Sequence, residues 1–268
     1  VESASGGELS GPLVDLLPKG GSMDRLRELA ERAAQDADLR ERHGLVPDEV
    51  RWLAPVPRPG KILCLGRNYP AHAAESGGEV PDWPCIFSKP ASAVIGHEQS
   101  IRIPEVSRQV DYEVELAVVI GRPARHVSQE DAYDYVAGYT VLNDVSVRDY
   151  QKEKGGGQWT LGKSFDTACP MGPWLVTVEE IPDPHDLCIR CEVSGEELQR
   201  ARTSQMFFKI PFIIEHLTAC LTLEPGDVIA TGTPAGVGMA RKPPRWLTPG
   251  DIVECTVERI GTLRNPVE

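Results

Sequence analysis

The stretch Asp111-Tyr112-Glu113-Val114-Glu115-Leu116-Ala117-Val118-Val119-Ile120 decides how this chain folds. Its apolar and β-branched residues predict a strand. Because side chains alternate across a strand, Glu113 and Glu115 share one face, about 6–7 Å apart at Cα, while Val114 and Leu116 point into a core. Like charges on one face repel each other, so the pair predicts a positive partner, most economically a divalent cation held by carboxylate oxygens. The alternative is a strand face exposed to water.

A third carboxylate stands in a second short apolar run. Asp144 follows Val141-Leu142-Asn143 and precedes Val145. Together with the glutamate pair it forms a set of oxygen ligands of the kind that hard cations prefer, and such ligands accept Mg²⁺ and Mn²⁺ alike. The residues therefore predict a divalent-metal site and leave the choice of metal open.

Length and composition are those of an ordinary globular protein. The 268 residues are 41% hydrophobic and 25% charged, which is enough for one large domain or for one large and one small domain. No run approaches the ~18 apolar residues that span a bilayer, and no signal-peptide pattern is seen, so we expect a cytoplasmic protein. The net charge of −12 argues against a nucleic-acid or membrane partner. It is compatible with a small anionic substrate, because a metal and a few bases can reverse the local field.

The seven cysteines are expected to be reduced, because their number is odd and no targeting signal accompanies them. Cys188 and Cys191 have the spacing of a zinc or redox pair. No second pair of this kind follows, and the flanking residues predict a strand, on which positions three apart face opposite sides. We therefore expect no metal or redox role for this pair.

The chain divides at a proline-rich linker near residues 55–60. We assign residues 1–56 to a small N-terminal α/β domain and residues 57–268 to a catalytic domain that is rich in short strands. The predicted elements are a strand at Leu13–Leu17, a helix at about Met23–Ala37, a strand at Ile101–Pro104 and a helix at Ser128–Ala137. The expected fold class is therefore α+β and β-rich.

Two segments carry residues suited to acid–base chemistry and charge stabilisation. Pro70 can begin a helix, and His72 and Glu75 then lie on one face, where the carboxylate would fix the imidazole tautomer and leave the other nitrogen free as a base. The alternative is a surface pair. Lys163 stands among small and apolar residues, and it is suited either to donate to an anionic substrate or to neutralise the carboxylate cluster.

Two further segments suit an anionic ligand. Thr231-Gly232-Thr233-Pro234 begins a glycine-rich loop that lacks the Gly-Lys-Ser/Thr ending of a phosphate loop. We therefore expect it to offer a hydroxyl to a small anion rather than to bind a nucleotide. Arg148 is suited to pair with a substrate carboxylate, or alternatively with Asp149 or Glu153.

Taken in order, these motifs resemble the fumarylacetoacetate hydrolase superfamily over about residues 60–262. The resemblance rests on Gly66-Arg67-Asn68-Tyr69 with His72-x-x-Glu75, Glu113-x-Glu115, Asn143-Asp144 with Arg148-Asp149, Gly162-Lys163-Ser164-Phe165, and Thr231-Gly232-Thr233-Pro234 with Gly236-Val237-Gly238. Within the superfamily, residues 156–166, Gly238-Met239 and Lys242-Pro243-Pro244 resemble the bacterial acylpyruvase and 2,4-diketo-3-deoxy-sugar-acid hydrolase branch.

The resemblance implies a fold, an assembly and a site. The fold would be a mixed β-roll, paired as a homodimer. Glu113, Glu115 and Asp144 would bind Mg²⁺ or Mn²⁺, completed by waters and substrate, since this chain has Leu65 where the founding hydrolase has a further aspartate ligand. The resemblance assigns His72, Glu75 and Lys163 to catalysis, and Arg67, Tyr69, Arg148, Gln151 and Thr233 to substrate binding.

The implied activity is metal-dependent hydrolysis of a C–C bond in an acylpyruvate or 2,4-diketo acid, which releases pyruvate. His72, oriented by Glu75, would activate water, and the metal and Lys163 would stabilise the departing enolate. The same site also supports a tautomerase, an isomerase such as a 2-hydroxyhepta-2,4-diene-1,7-dioate isomerase, or a decarboxylase of a 2-oxo acid such as oxaloacetate. A binding protein without activity is disfavoured, because all the metal and catalytic residues are retained.

Overall fold

The computed structural model describes residues 4–5, 13, 17, 22–46 and 50–268. The chain divides into two units, Val1–Arg51 and Trp52–Glu268. The assignment of residues 1–56 and 57–268 as separate domains stays a prediction. Within the described ranges, no helix has both the length and the apolar character needed to cross a membrane.

The N-terminal unit contains two described helices, α1 (Ser22–Gln35) and α2 (Ala37–His43). The single helix predicted at Met23–Ala37 ends two residues early. Asp36 separates the two helices because its side chain accepts the Leu39 N–H at 3.0 Å and so caps α2. The strand predicted at Leu13–Leu17 depends on residues 14–16, which lie outside the described residues.

The larger unit is built mainly from short strands. The strands are β1 (Ile62–Gly66), β2 (Cys85–Lys89), β3 (Val94–Ile95), β4 (Val110–Asp111), β5 (Val114–Ile120), β6 (Val136–Asn143), β7 (Ser146–Val147), β8 (Cys169–Thr177), β9 (Cys188–Val193), β10 (Glu196–Arg202), β11 (Val228–Ala230), β12 (Ile252–Val257) and β13 (Gly261–Pro266). The α-helices are α3 (Pro70–Glu75), α4 (Arg148–Lys152), α5 (Thr160–Lys163) and α6 (Ile210–Cys220). Short 3₁₀ turns form at Ala91–Ala93, Ala132–Tyr135, Thr203–Gln205 and Gly238–Ala240.

The strands form three sheets. A mixed seven-stranded sheet has the order β2-β1-β11-β5-β6-β8-β3, a four-stranded sheet has the order β10-β9-β12-β13, and β4 pairs with β7. In the large sheet β1 runs parallel to β11 and β3 parallel to β8, whereas the other neighbours are antiparallel. Strands β9, β12 and β13 of the second sheet pack against β5, β6 and β8 of the first. The β-rich α+β fold predicted from the sequence is confirmed.

Strand β5 occupies the centre of the large sheet, between β11 and β6. Every residue from Val114 to Ile120 is buried, and Glu113, which directly precedes the strand, is buried as well. Strands covered on both faces are apolar throughout rather than alternating, which explains the continuous run of apolar residues after Glu115. The water-exposed strand face considered for the glutamate pair is therefore wrong.

Two predicted elements differ from the observed ones. The helix predicted at Ser128–Ala137 is wrong: the Ser128 hydroxyl bonds to Asp131, one 3₁₀ turn follows, and β6 begins at Val136. Pairing with β5 and β8 outweighs the local capping signal because it buries the apolar residues of β6. The strand predicted at Ile101–Pro104 is reduced to a single bridge between Ile101 and Val267.

Candidate active site

Three carboxylates meet where β5 begins and β6 ends. The antiparallel register places Val114 opposite Asn143, so Asp144 follows directly beside Glu113, and its N–H donates to the Glu113 carbonyl at 2.9 Å. One oxygen from each of Glu113, Glu115 and Asp144 lies within 4.8 Å of the others, and all three residues are buried. The fold thus brings together the three residues that the sequence predicted as metal ligands.

Two lysines bond to this carboxylate triad. The Lys163 ammonium donates to Glu113 Oε2 and to Asp144 Oδ2, both at 2.6 Å. Lys89, which the sequence analysis did not identify, donates to Asp144 Oδ1 at 2.6 Å and to the carbonyls of Val145 and Lys163. The structure therefore places Lys163 in the neutralising position, within reach of any ligand bound at the triad.

Arg148 is held by two carboxylates and an amide. Its guanidinium donates to Asp111 Oδ2 at 2.8 Å, to Glu113 Oε1 at 2.6 Å and to Gln151 Oε1 at 2.8 Å. Asp111 in turn accepts the Gly238 N–H at 2.7 Å. The pairing of Arg148 with Asp149 or Glu153, considered from the sequence, is not the one observed.

The charges of the cluster are nearly balanced. Its members are the carboxylates of Asp111, Glu113, Glu115 and Asp144 and the cations Lys89, Arg148 and Lys163. With all four carboxylates ionised, as cation binding would require, one net negative charge is left. Burial alone would raise the pKa of Glu113, but the Arg148 and Lys163 cations lower it below its usual range. Burial, together with the neighbouring charges of Asp144 and Glu113, raises the pKa of Glu115 well above its usual range.

Glu115 shows that the residues present fit a divalent cation. Among the described residues, its carboxylate has no ion-pair partner and accepts only the Gly232 N–H, at 2.7 Å. A buried carboxylate without a counter-charge is unfavourable, and three carboxylate oxygens are the donor set that Mg²⁺ and Mn²⁺ prefer. Glu113, Glu115 and Asp144 would hold the cation.

The base candidate is held from two sides. Pro70 begins α3, and the helix places His72 Nδ1 at 2.8 Å from Glu75 Oε1. Glu75 Oε2 accepts the Gly236 N–H at 2.8 Å, which ties the helix to the loop after β11. Because an ionised carboxylate only accepts hydrogen bonds, Nδ1 carries the hydrogen and Nε2 is left free to take a proton. His72 is 8% exposed, so the surface-pair alternative is wrong.

One cavity of about 320 Å³ joins these groups. The predicted residues that line it are Arg67, His72, Glu113, Glu115, Arg148, Gln151, Lys163 and Thr233. Glu75 and Asp144 do not line the cavity. Each is hydrogen-bonded to a residue that does, Glu75 to His72 and Asp144 to Lys163. Tyr69 lines a different cavity, beside Pro70 and Pro234, and its buried hydroxyl has no hydrogen-bond partner among the described residues. Its role in substrate binding stays a prediction.

Sequence reasoning missed Phe87 and Lys152 of the cavity wall, whereas Trp159 lies in the segment that the motifs had pointed to. Phe87 and Trp159 form an edge-to-face pair with ring centroids 5.4 Å apart, and the Lys163 ammonium lies 5.1 Å from the Phe87 ring centre. Lys152 also lines the cavity. For Lys89, whose contact with the triad was also missed, the available signal was a lysine at the end of a partly exposed strand. For Lys152 it was the position directly after Gln151.

Comparison with known proteins agrees with this geometry. The fumarylacetoacetate (FAA) hydrolase C-terminal family model matches residues 61–268. The chain belongs to this family, as the sequence motifs predicted.

The named relatives are more specific. The chain is 47% identical over 264 residues to oxaloacetate tautomerase fahd2, mitochondrial, of Xenopus laevis, covering 96% of this chain and 83% of the relative. It is 44% identical over 264 residues to oxaloacetate tautomerase YisK of Bacillus subtilis, covering 97% and 87%. A crystal structure of 2-hydroxyhepta-2,4-diene-1,7-dioate isomerase from Mycobacterium marinum matches with a TM-score of 0.71 at 47% identity, covering 82% and 78%.

These relatives bear on three of the predictions. All three names describe a tautomerase or an isomerase, which favours the alternative activity over the C–C hydrolase placed first from the sequence. One relative is mitochondrial and another is bacterial, so the cytoplasmic location stays a prediction. The homodimer also stays a prediction.

Proposed function

We propose that this protein is a divalent-cation-dependent keto–enol tautomerase of a small 2-oxo dicarboxylic acid, with oxaloacetate as the first candidate. The observation that carries the proposal is the opening of His72, held by Glu75, onto the cavity that Glu113 and Glu115 of the carboxylate triad also line. A base beside a cation site is the arrangement that enolisation next to a carbonyl requires. The two tautomerase relatives support the choice of substrate.

The proposed cation would be Mg²⁺ or Mn²⁺, held by Glu113, Glu115 and Asp144. When bound, it would supply positive charge that favours the enolate form of a 2-oxo acid. Lys163 places a second positive charge at the same point. With a divalent cation, the net charge of the cluster changes from one negative to one positive, which suits an anionic substrate.

The proton transfer is assigned to the chain's own residues. His72 Nε2 takes a proton from C3 of the substrate, and the electron pair of that C–H bond moves towards the C2 oxygen. The C2 oxygen takes a proton from a donor in the cavity, for which Lys163 is the candidate. The reverse sequence returns the enol to the ketone. Glu75 keeps His72 in the required tautomer throughout.

Hydrolysis would use the same residues differently. His72 would then activate a water molecule against a second carbonyl, and a C–C bond would break. A tautomerase needs only proton transfers, and these need no residues beyond those described above. The reaction classes therefore differ in their products rather than in their residue inventory, so the products must be measured.

The test follows two reactions with the purified full chain and added Mg²⁺ or Mn²⁺. Ultraviolet absorbance of the enol reports oxaloacetate tautomerisation, and coupled detection of pyruvate reports cleavage of acetylpyruvate or loss of CO₂ from oxaloacetate. We expect faster enol–ketone interconversion without stoichiometric pyruvate, and its loss in His72→Asn and after EDTA treatment. Stoichiometric pyruvate from acetylpyruvate, with unchanged oxaloacetate interconversion, would contradict the proposal and restore the hydrolase.

A further inference from the structure

Four basic side chains line the cavity, and they fall into two pairs. Arg148 and Lys163 are each bonded to carboxylates of the triad cluster. Arg67 and Lys152 also line the cavity, but neither forms a hydrogen bond or an ion pair with any described residue. The cavity wall thus carries two positive charges that no protein carboxylate balances.

The position of Arg67 is set by an uncommon backbone conformation. Arg67 directly follows β1 and has φ = 60°, a value that residues other than glycine seldom adopt. Its guanidinium lies against Gly78, where a Cβ atom would stand 3.1 Å from Arg67 Cζ. This backbone conformation directs the chain away from β1 at the cavity that Arg67 lines.

Lys152 approaches the same region from α4. It is the last residue of that helix and directly follows Gln151, which holds Arg148. Partial desolvation, followed by the guanidinium charges of Arg148 and Arg67, lowers the pKa of Lys152. Both side chains are exposed at the mouth of the cavity, where water screens their repulsion, so they are free to pair with an incoming anion.

We propose that Arg67 and Lys152 form a subsite for the distal carboxylate of the substrate, and that Lys152 determines selectivity for 2-oxo dicarboxylates over 2-oxo acids with a neutral end. This inference rests on the proposed function, because the 2-oxo acid end of the substrate is assigned to the triad. Two basic groups that share one carboxylate form charge-assisted hydrogen bonds, which are about twice as strong as neutral ones. The cavity of about 320 Å³ suits a short dicarboxylate.

The kinetic test compares oxaloacetate with its C4 methyl ester, which keeps the reacting atoms and lacks the distal charge. We expect Lys152→Gln to lower kcat/KM for oxaloacetate by about 10- to 100-fold and to change kcat/KM for the ester by less than about threefold. Lys152→Arg should retain most of the preference. Lys154→Gln is the matched control, because Lys154 carries the same charge two residues away but pairs with Asp149 at 2.8 Å.

The proposal would be overturned by either of two results. Equal losses with both substrates in Lys152→Gln would assign Lys152 a structural role. An equal loss in Lys154→Gln would show that general attraction of anions, rather than a subsite, is responsible.

A binding measurement separates this proposal from the proposed function. Isothermal titration calorimetry with Mg²⁺ would compare 3,3-difluoro-oxaloacetate, which cannot enolise, with oxalate, which lacks a distal carboxylate. We expect Lys152→Gln and Arg67→Gln each to weaken the difluoro compound about 10-fold or more while leaving oxalate within about threefold. If wild-type enzyme shows no tautomerase activity but this selectivity appears, the subsite stands and the proposed reaction fails. If both ligands weaken equally, or neither does, the subsite fails.

Discussion

The link between Glu75 and His72 makes a sharp prediction for Glu75→Gln. The two oxygens of Glu75 accept from different donors, His72 Nδ1 at 2.8 Å and the Gly236 N–H at 2.8 Å. A glutamine has one oxygen and one NH₂ group, so it can accept only one of these hydrogen bonds. The Gly236 N–H has no alternative form, whereas imidazole can move its hydrogen from Nδ1 to Nε2. The glutamine oxygen is therefore expected to stay with Gly236 and its NH₂ to face Nδ1.

The expected size of the effect follows from this change of tautomer. With its hydrogen on Nε2, His72 cannot accept a proton at the atom assigned as the base. General-base catalysis contributes about 10²–10⁴ in rate, so kcat should fall by about that factor, or about 3–5.5 kcal/mol in the activation free energy. Substrate KM and Mg²⁺ affinity should change little, because Glu75 does not touch the triad.

The assay measures kcat for oxaloacetate interconversion, with the ¹⁵N chemical shifts of His72 as a direct report of the tautomer. Glu79→Gln is the control, since Glu79 is an exposed carboxylate near the same helix. A Glu75→Gln enzyme with kcat within about threefold of the wild type would refute the tautomer argument. So would an enzyme that loses activity while His72 keeps its hydrogen on Nδ1.

Three other substitutions test the charges of the larger unit. Lys89→Met leaves Asp144 with one buried partner fewer, so we expect the free energy of unfolding to fall by about 3–5 kcal/mol. Calorimetry in EDTA should then show a Tm lower by about 6–20 °C, and the exposed Lys154→Met should serve as a control with little change. Glu115→Gln should abolish stabilisation by Mg²⁺ or Mn²⁺ in a thermal-shift titration, yet unfold in EDTA at or above the wild-type temperature, because burial and like charges already oppose its ionisation. Burial would raise the pKa of Asp251, but hydrogen bonds from Arg245, Thr248 and Ser194 lower it to about 2. The ionised Asp251 should therefore add about 2 kcal/mol to the free energy of unfolding above pH ~4, and this stabilisation should be lost as the pH falls to ~2. In urea titrations, the free energies of unfolding of the wild type and of Asp251→Asn should converge as the pH is lowered.

The two glutamates of the triad could be predicted because their signal is local, whereas the place of Asp144 beside them depends on the pairing of β5 with β6. Two glutamates at alternate positions of an apolar run fix their shared face without knowledge of any partner strand. The pairing of His72 with Glu75 could also be predicted, because residues three apart lie on the same face of a short helix. The choice between catalytic and surface roles required the burial that only the fold shows.

Residues whose partners are distant in sequence could not be predicted. Lys89 bonds to Asp144 and to the Lys163 carbonyl, which lie 55 and 74 residues further along the chain. A lysine before a proline at a strand end looks equally suited to solvent. Tyr69 shows a different limit, because its motif suggested substrate binding while its ring lines a second cavity, a position that the sequence alone does not indicate.

A local helix signal also gave the wrong element where sheet pairing stabilised a strand instead. The Asp131 N–H donates to the Ser128 hydroxyl as at a helix start, and that hydroxyl donates in turn to the Asp131 carboxylate. The chain nevertheless continues into β6, because the residues from Val136 onward gain more by pairing with β5 and β8. The products of the reaction lie beyond both kinds of reasoning, since the same residues serve a hydrolase and a tautomerase.

Strand β1 pairs with β11, which is made much later in the chain, and this order has a consequence for biosynthesis. The hydrogen bond that holds the base joins Glu75 to Gly236, 161 residues later. At about 5–20 residues per second on a ribosome, His72 and Glu75 emerge roughly 8–32 s before the Gly236 N–H that holds Glu75 in place. Contacts of such long range also slow folding, and β1 meanwhile has an unpaired edge that is open to aggregation. Fragments that end before residue 236 would therefore be inactive for reasons of assembly, and only substitutions in the whole chain can test the roles assigned above.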